Sequence, residues 1–140
     1  MPNFYYQKIE TSTLPRVRES CSGGVGGRSL VGSDSDGDVR FLFRTATEAA
    51  NKGENKKAIE YLEQVLNSNP KHAMAWHVKG NCLDMMGDYA EALISYDTAL
   101  RLDPLNSETW FNKGLTLKKM GRRQEADSSM NRAVKLALGE

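Results

Sequence analysis

Residues that interrupt helices recur along this chain at one interval. Pro70 and Pro104 stand 34 residues apart, Gly53, Gly87 and Gly121 keep the same spacing, and so do Gly80 and Gly114. Two residue types with different backbone constraints sharing one period mark internal repetition, and a period of this size means stacked supersecondary units. With units of 39–72, 73–106 and 107–140, the second and third agree at 11 of 34 aligned positions, against roughly two expected from ordinary composition. The first unit shares Gly53, Ala58, Leu66 and Pro70 with the second, and stays apolar elsewhere through Leu42, Ala46 and Val65.

Each unit reads as two helices. Trp76, Gly80 and Leu83 are spaced i, i+4, i+7 and line one helical face. The large Trp beside the small Gly lets a neighbouring helix approach. Ala92, Tyr96 and Ala99 repeat the small–large–small order on a second helix. Between them Gly87 can take the left-handed conformation that stops the first helix. Asp88 is then the expected N-cap of the second, with Glu91 three residues on completing a capping box. Pro104 cannot continue a helix and holds Asp103 extended. One such hairpin cannot bury both its faces; three stacked hairpins can.

The same positions resemble the tetratricopeptide repeat (TPR) family, whose pattern runs bulky residue, Gly/Ala, large apolar residue, turn Gly, Ala, aromatic, Ala, Pro. The second unit supplies Trp76, Gly80, Leu83, Gly87, Ala92, Tyr96, Ala99 and Pro104, with Tyr89 after the turn. The third supplies Trp110, Gly114, Leu117, Gly121, Ala126, Met130 and Ala133, with Leu138 where Pro is usual. The first supplies Leu42, Ala46, Ala49, Gly53, Ala58, Leu62, Val65 and Pro70. The resemblance implies an all-α fold, a right-handed superhelical solenoid of three helix-turn-helix repeats over 39–140, preceded by a flexible N-terminal segment, 1–38. It also implies that the first helix of each hairpin lines a concave surface. The outward positions there would be Arg40, Phe43, Thr47 and Ala50; Met74, His77, Asn81 and Asp84; and Glu108, Phe111, Leu115 and Lys118, with Asn112 beside them.

One TPR subclass grips a peptide's C-terminal carboxylate with Lys, Arg and Asn at such positions. Here Phe43 and Thr47 stand in place of Lys and Asn, Val78 replaces the next Asn, and Glu108 and Asn112 replace the final cationic pair. Charge-assisted bonds give such sites most of their grip, so the expected ligand is different. Phe43, Met74, Phe111 and Leu115 favour an apolar or amphipathic segment of a protein partner, with Thr47, His77, Asn81, Asp84, Asn112 and Lys118 as polar contacts. Packing between hairpins competes for some of these side chains. Phe4-Tyr5-Tyr6 of the same chain is a further candidate occupant, because the stretch 20–38 is long enough to let it reach. On the last helix Met130, Val134 and Ala137 form an i, i+4, i+7 face that would meet no following helix, a candidate surface for a homodimer through the C-terminal hairpin.

Other signals fall short of chemistry. Residues 20–38 are rich in Gly, Ser and Asp and cannot bury enough apolar surface to order, so they are expected to be a linker, with Asp38 capping the first helix. Within it, residues 22–29 imitate a phosphate-binding loop but carry Ser22 for the first Gly and Arg28 for the Lys, with no helix expected to follow. The acidic run at 34–38 has Val39 and Thr45 where a calcium loop needs Gly and Glu. His72 and His77 lack metal-ligand neighbours, and Cys82 sits in an apolar helical setting. No catalytic constellation, cofactor or metal site is expected, and the chain is read as non-catalytic. With 19 Lys+Arg against 18 Asp+Glu, the global electrostatics of a nucleic-acid binder are missing, although Lys113, Lys118, Lys119, Arg122 and Arg123 cluster. Two cysteines in unlike contexts, no secretory signal and no long apolar run point to the cytoplasm and away from a membrane.

Overall fold

A computed structural model describes residues 27–139, with side chains from Asp36 onward. The described chain is six helices: α1 (Gly27–Asn51), α2 (Asn55–Ser68), α3 (Ala73–Met85), α4 (Tyr89–Leu102), α5 (Ser107–Lys119) and α6 (Arg123–Ala137). There is no strand among the described residues. A compact unit runs from Leu42 to Glu140, and the packing and surface features below belong to it, while the first part of α1 precedes it. Phe4-Tyr5-Tyr6, Cys21 and the first part of the Gly-rich stretch, residues 20–26, lie outside the described residues, whereas residues 27–38, expected to be linker, lie within α1.

The turns are built alike. At Met86-Gly87-Asp88, the Met86 N–H donates to Cys82 O at 3.1 Å, Gly87 N–H to Asp84 O at 3.0 Å and Asp88 N–H to Leu83 O at 2.9 Å. Gly53, Gly87 and Gly121 take φ of 82°, 87° and 83°. A Cβ at any of these three would meet nothing within 4 Å, so they are needed for backbone conformation alone. Gly80 and Gly114 serve the opposite purpose. A Cβ on Gly80 would lie 2.6 Å from Tyr96 Cε1, and one on Gly114 would lie 2.7 Å from Met130 Cγ and 3.1 Å from Ala126 O. One glycine series ends helices; the other lets them touch.

Two caps differ from expectation. Asp88 stands at the N-cap of α4 but makes no side-chain cap bond. Its ψ of 68° is not the extended conformation of a capping residue. Its N–H, which Glu91 would have bonded in a capping box, is already donated to Leu83 O. Glu54 and Arg122, in the same place, likewise make no cap bond. Side-chain caps appear instead where α3 and α5 begin: Ala75 N–H donates to His72 Nδ1 and Thr109 N–H to Asn106 Oδ1, both at 3.1 Å. Asp38 also caps nothing, because α1 starts at Gly27 and carries it as an interior residue. Extending a helix already nucleated costs only each residue's propensity, and no proline lies between Gly27 and Asn51 to stop it.

Packing follows the small–large pattern. Ala46, Ala49, Ala58, Leu62, Val65, Ala75, Cys82, Ala92, Tyr96 and Ala126 are buried to 1% exposure or less, and Leu117 to 2%. Leu83, Ala92 and Tyr96 form one cluster with Ile59 from the first repeat against it, while Leu93, Leu117 and Ala126 join the second repeat to the third. Trp76 and Trp110 are half-buried at hairpin junctions. Each indole N–H donates to the preceding proline carbonyl, to Pro70 O at 2.9 Å and to Pro104 O at 2.8 Å. Lys79 and Lys113 lie over these rings at 5.2 and 5.4 Å and reach acids on the preceding hairpin, Glu63 and Asp97. The tryptophans therefore staple a loop and a neighbouring repeat together.

Candidate functional site

Helices α1, α3 and α5 contribute to two adjoining hollows. A cavity of about 180 Å³ is bounded by Thr47, Ala50 and Asn51 of α1 and by Val78, Asn81 and Met85 of α3. The other, about 300 Å³, is bounded by Asn81, Asp84 and Met85 of α3 and by Asn112, Leu115 and Lys119 of α5. Asn81 and Met85 line both. Two exposed apolar side chains stand in their walls, Met85 at 72% and Leu115 at 36%, and Phe111 at 45% and Met74 at 41% are exposed on the same helices outside the hollows.

The polar side chains between them are tied to one another. Asn81 Oδ1 accepts from the Tyr96 hydroxyl at 2.7 Å and from Asn112 Nδ2 at 3.0 Å. Asp84 Oδ1 accepts from the Thr116 hydroxyl at 2.7 Å and its Oδ2 pairs with Lys119 Nζ at 2.6 Å. The Thr47 hydroxyl donates to Arg44 O, closing on its own helix. The Phe43 ring lies 4.7 Å from the His72 ring, half-buried. Lys118 is exposed.

His77 is the main departure from the expected surface. Instead of facing outward it is 2% exposed, its ring nitrogens engaged with Thr109 Oγ1 at 2.7 Å, Glu108 Oε1 at 3.1 Å and Asn81 Nδ2 at 3.3 Å. The cause is α5, which crosses close to the start of α3 and covers that position. Burial holds the His77 imidazole below its ordinary pKa of 6.5, against the opposing pull of Glu108. Burial likewise pushes the Cys82 thiol up to about 11, so it is a packing group and a poor nucleophile. The Tyr96 phenol is pushed up too, by burial first and then by Asp84.

Met85 and Lys119 belong to this surface although the repeat pattern did not single them out. Met74, Asn81 and Met85 are spaced i, i+7, i+11 on one helical face, a signal that was available. The Lys119–Asp84 pair spans two repeats and has no local signature. Among the described residues no group of His, Cys, Asp and Glu is placed to hold a metal ion. Nor is any described helix long and apolar enough to cross a membrane.

Paired helices in register, left-handed turn glycines and a hollowed face on the first helix of each pair define the class of helical-repeat solenoids. Two tetratricopeptide repeat families match the chain, one over residues 43–107 and another over residues 95–127. The chain belongs to the tetratricopeptide repeat family, and its fold is the all-α, right-handed superhelical solenoid of three repeats that the sequence pattern implies. Over 54 residues it is 36% identical to the Methanocaldococcus jannaschii protein MJ0572, a match covering 39% of this chain and 63% of that one. The chain thus spans less than two thirds of that relative's length. Among solved structures, MamA superposes with a TM-score of 0.69 at 24% identity, over 94% of this chain and 74% of that chain. The Yersinia enterocolitica secretion translocator chaperone SycD gives 0.70 at 20% identity, over 73% and 77%. The first TPR of Spaghetti (RPAP3), bound to the HSP90 peptide SRMEEVD, gives 0.70 at 14%, over 74% and 82%. Repeats of this fold generally mediate protein–protein interaction.

Proposed function

We propose that the protein is a non-catalytic scaffold that binds a segment of another polypeptide along the face formed by α1, α3 and α5. The observation that carries this reading is the exposure of Phe111, Leu115, Met74 and Met85 beside polar groups that are already satisfied. Apolar anchors on a preformed surface supply binding energy at a reduced ordering cost, while Asn112 and Lys118 are left to read polar features of the ligand. Asp84 is neutralised by Lys119, so the ligand need not be strongly charged, unlike the acidic-ended peptides of a carboxylate clamp. A reducing cytoplasmic setting agrees with the free, buried Cys82.

The test is selection of binders from a random peptide library on the purified chain. Phe111→Ala and Leu115→Ala should each weaken the selected peptides tenfold or more, whereas Ile94→Ser, at a 56% exposed position on α4, should leave them unchanged. Peptides indifferent to Phe111 and Leu115 would sink the reading.

A second reading is self-assembly through the last hairpin. It is favoured by Val134, which is 54% exposed where its repeat equivalents Leu66 and Leu100 are 8% and 6%. Light scattering over a concentration series, with Val134→Lys as control, decides it. A mass that stays monomeric removes this reading.

A further inference from the structure

His77 sits where a groove residue was expected and is instead buried beneath one. Asn81, one turn along α3, lines both hollows of the candidate site, and its amide is held from three directions: by Tyr96, by Asn112 and by the imidazole of His77. We infer that His77 is a positioning residue for this face: its neutral ring holds the Asn81 amide, and uptake of a proton releases that hold and reshapes the floor on which Asn112 also depends.

The argument is one of hydrogen-bond capacity. A neutral imidazole has one donor and one acceptor nitrogen, an imidazolium two donors. Nδ1 faces the Thr109 hydroxyl, which can give or accept. Nε2 faces two groups of opposite demand, the donor amide of Asn81 at 3.3 Å and the acceptor carboxylate of Glu108 at 3.1 Å. Of the two neutral tautomers, the one protonated on Nε2 would donate to Glu108 and not hold Asn81; the proposed hold requires the one protonated on Nδ1, which donates to Thr109 and leaves Nε2 to accept from Asn81. Glu108, whose side chain is 70% exposed, is then free to turn to water. When the ring is doubly protonated, Nε2–H donates to Glu108 and Asn81 Nδ2 faces another donor. The Asn81 amide cannot simply flip to answer this, because its Oδ1 already accepts from Tyr96 and from Asn112. It has to rotate away, and Asn112 loses its anchor with it.

The titratable groups around the ring are few. From α5 comes Glu108, and from α4 the Tyr96 phenol, 6.1 Å between ring centroids. On α3 itself Asp84 lies further along and is paired with Lys119, while α2, also packed against α3, sends Glu63 to Lys79. Among the described residues, Glu108 is thus the charged group that acts directly on His77. The direction of the His77 shift agrees, since burial outweighs Glu108 and keeps the ring neutral near pH 7.

The experiment is an NMR pH titration of the full isotope-labelled chain, following the His77 ring and the side-chain amides of Asn81 and Asn112, with helix content monitored in parallel. His77 should titrate with a midpoint below 6.5, and both amides should move with that same midpoint while the helices stay intact. Glu108→Gln should lower the midpoint further, because the carboxylate that favours the charged ring is gone. Asn81→Ala should leave His77 titrating and abolish the Asn112 response. His72→Asn, which keeps a cap acceptor, should preserve every response and separate the two histidines. Amides that stay fixed while His77 titrates, a response that survives His77→Asn, or helix loss at the same midpoint would overturn the inference. Its bearing on ligand affinity rests on the groove reading above. The titration needs no ligand, so failure of one is seen apart from failure of the other.

Discussion

Leu100 on α4 and Val134 on α6 hold the same place in successive repeats, yet the first is 6% exposed and the second 54%. The two hairpins share their turn geometry, their Trp–Lys staple and their Gly contact, so the difference lies in neighbours. Leu93 of the second repeat is buried against Leu117 and Ala126 of the third, whereas the equivalent position in the third is the exposed Asp127. Likewise Tyr96, which is 1% exposed and sets its hydroxyl on Asn81, gives way to the half-buried Met130. A helix pair of this kind is stabilised mostly by what stacks on it. The second repeat has partners on both sides; among the described residues nothing covers Val134.

Four measurements would break or sharpen that contrast. Leu100→Ala should cost about 3 kcal/mol in denaturant unfolding, as truncation of a buried leucine does, and Val134→Ala no more than about 0.5 kcal/mol, as at an ordinary surface site. Equal losses would show that the third repeat is as enclosed as the second. Gly80→Ala should come next, at about 2 kcal/mol from overpacking against the rigid Tyr96 ring. Gly114→Ala should cost less, because the flexible Met130 can move aside and only the 3.1 Å approach to Ala126 O resists. Gly87→Ala and Gly121→Ala should each cost about 1 kcal/mol, the strain of a left-handed residue with free space around it. That pair should be alike in the two repeats, since the turns are. Smallest is the pH effect. His77 has a folded-state pKa below its unfolded 6.5, so its neutral form contributes stability that is full above that value and lost as pH falls through it. The thermal midpoint should therefore drop on mild acidification, and His77→Asn should flatten the drop.

Much of this architecture is written in short-range pattern. The helix pairs, their boundaries near Gly53, Gly87 and Gly121, and the close approaches at Gly80 and Gly114 follow from spacing and side-chain size. The capping box at Asp88 did not form, because the turn that Gly87 initiates takes the N–H that Glu91 required. The start of α1 at Gly27 was hidden by composition, since Gly, Ser and Asp favour turns but can prolong a helix begun elsewhere. The face of α1, α3 and α5 was legible as a set of positions, and Met74, Phe111 and Leu115 are exposed there. Helical period alone could not show that α5 buries His77 or that Lys119 reaches Asp84, because those contacts join residues 31 to 35 apart in sequence.

Hydrogen exchange at single-residue resolution tests most directly whether stacking, and not the isolated helix, holds this molecule together. Amides in the middle of α4 should exchange only through global unfolding, while those in α6 should open locally at a lower free energy although the two helices are of similar length. Equal protection of α4 and α6, both at the global value, would contradict the account.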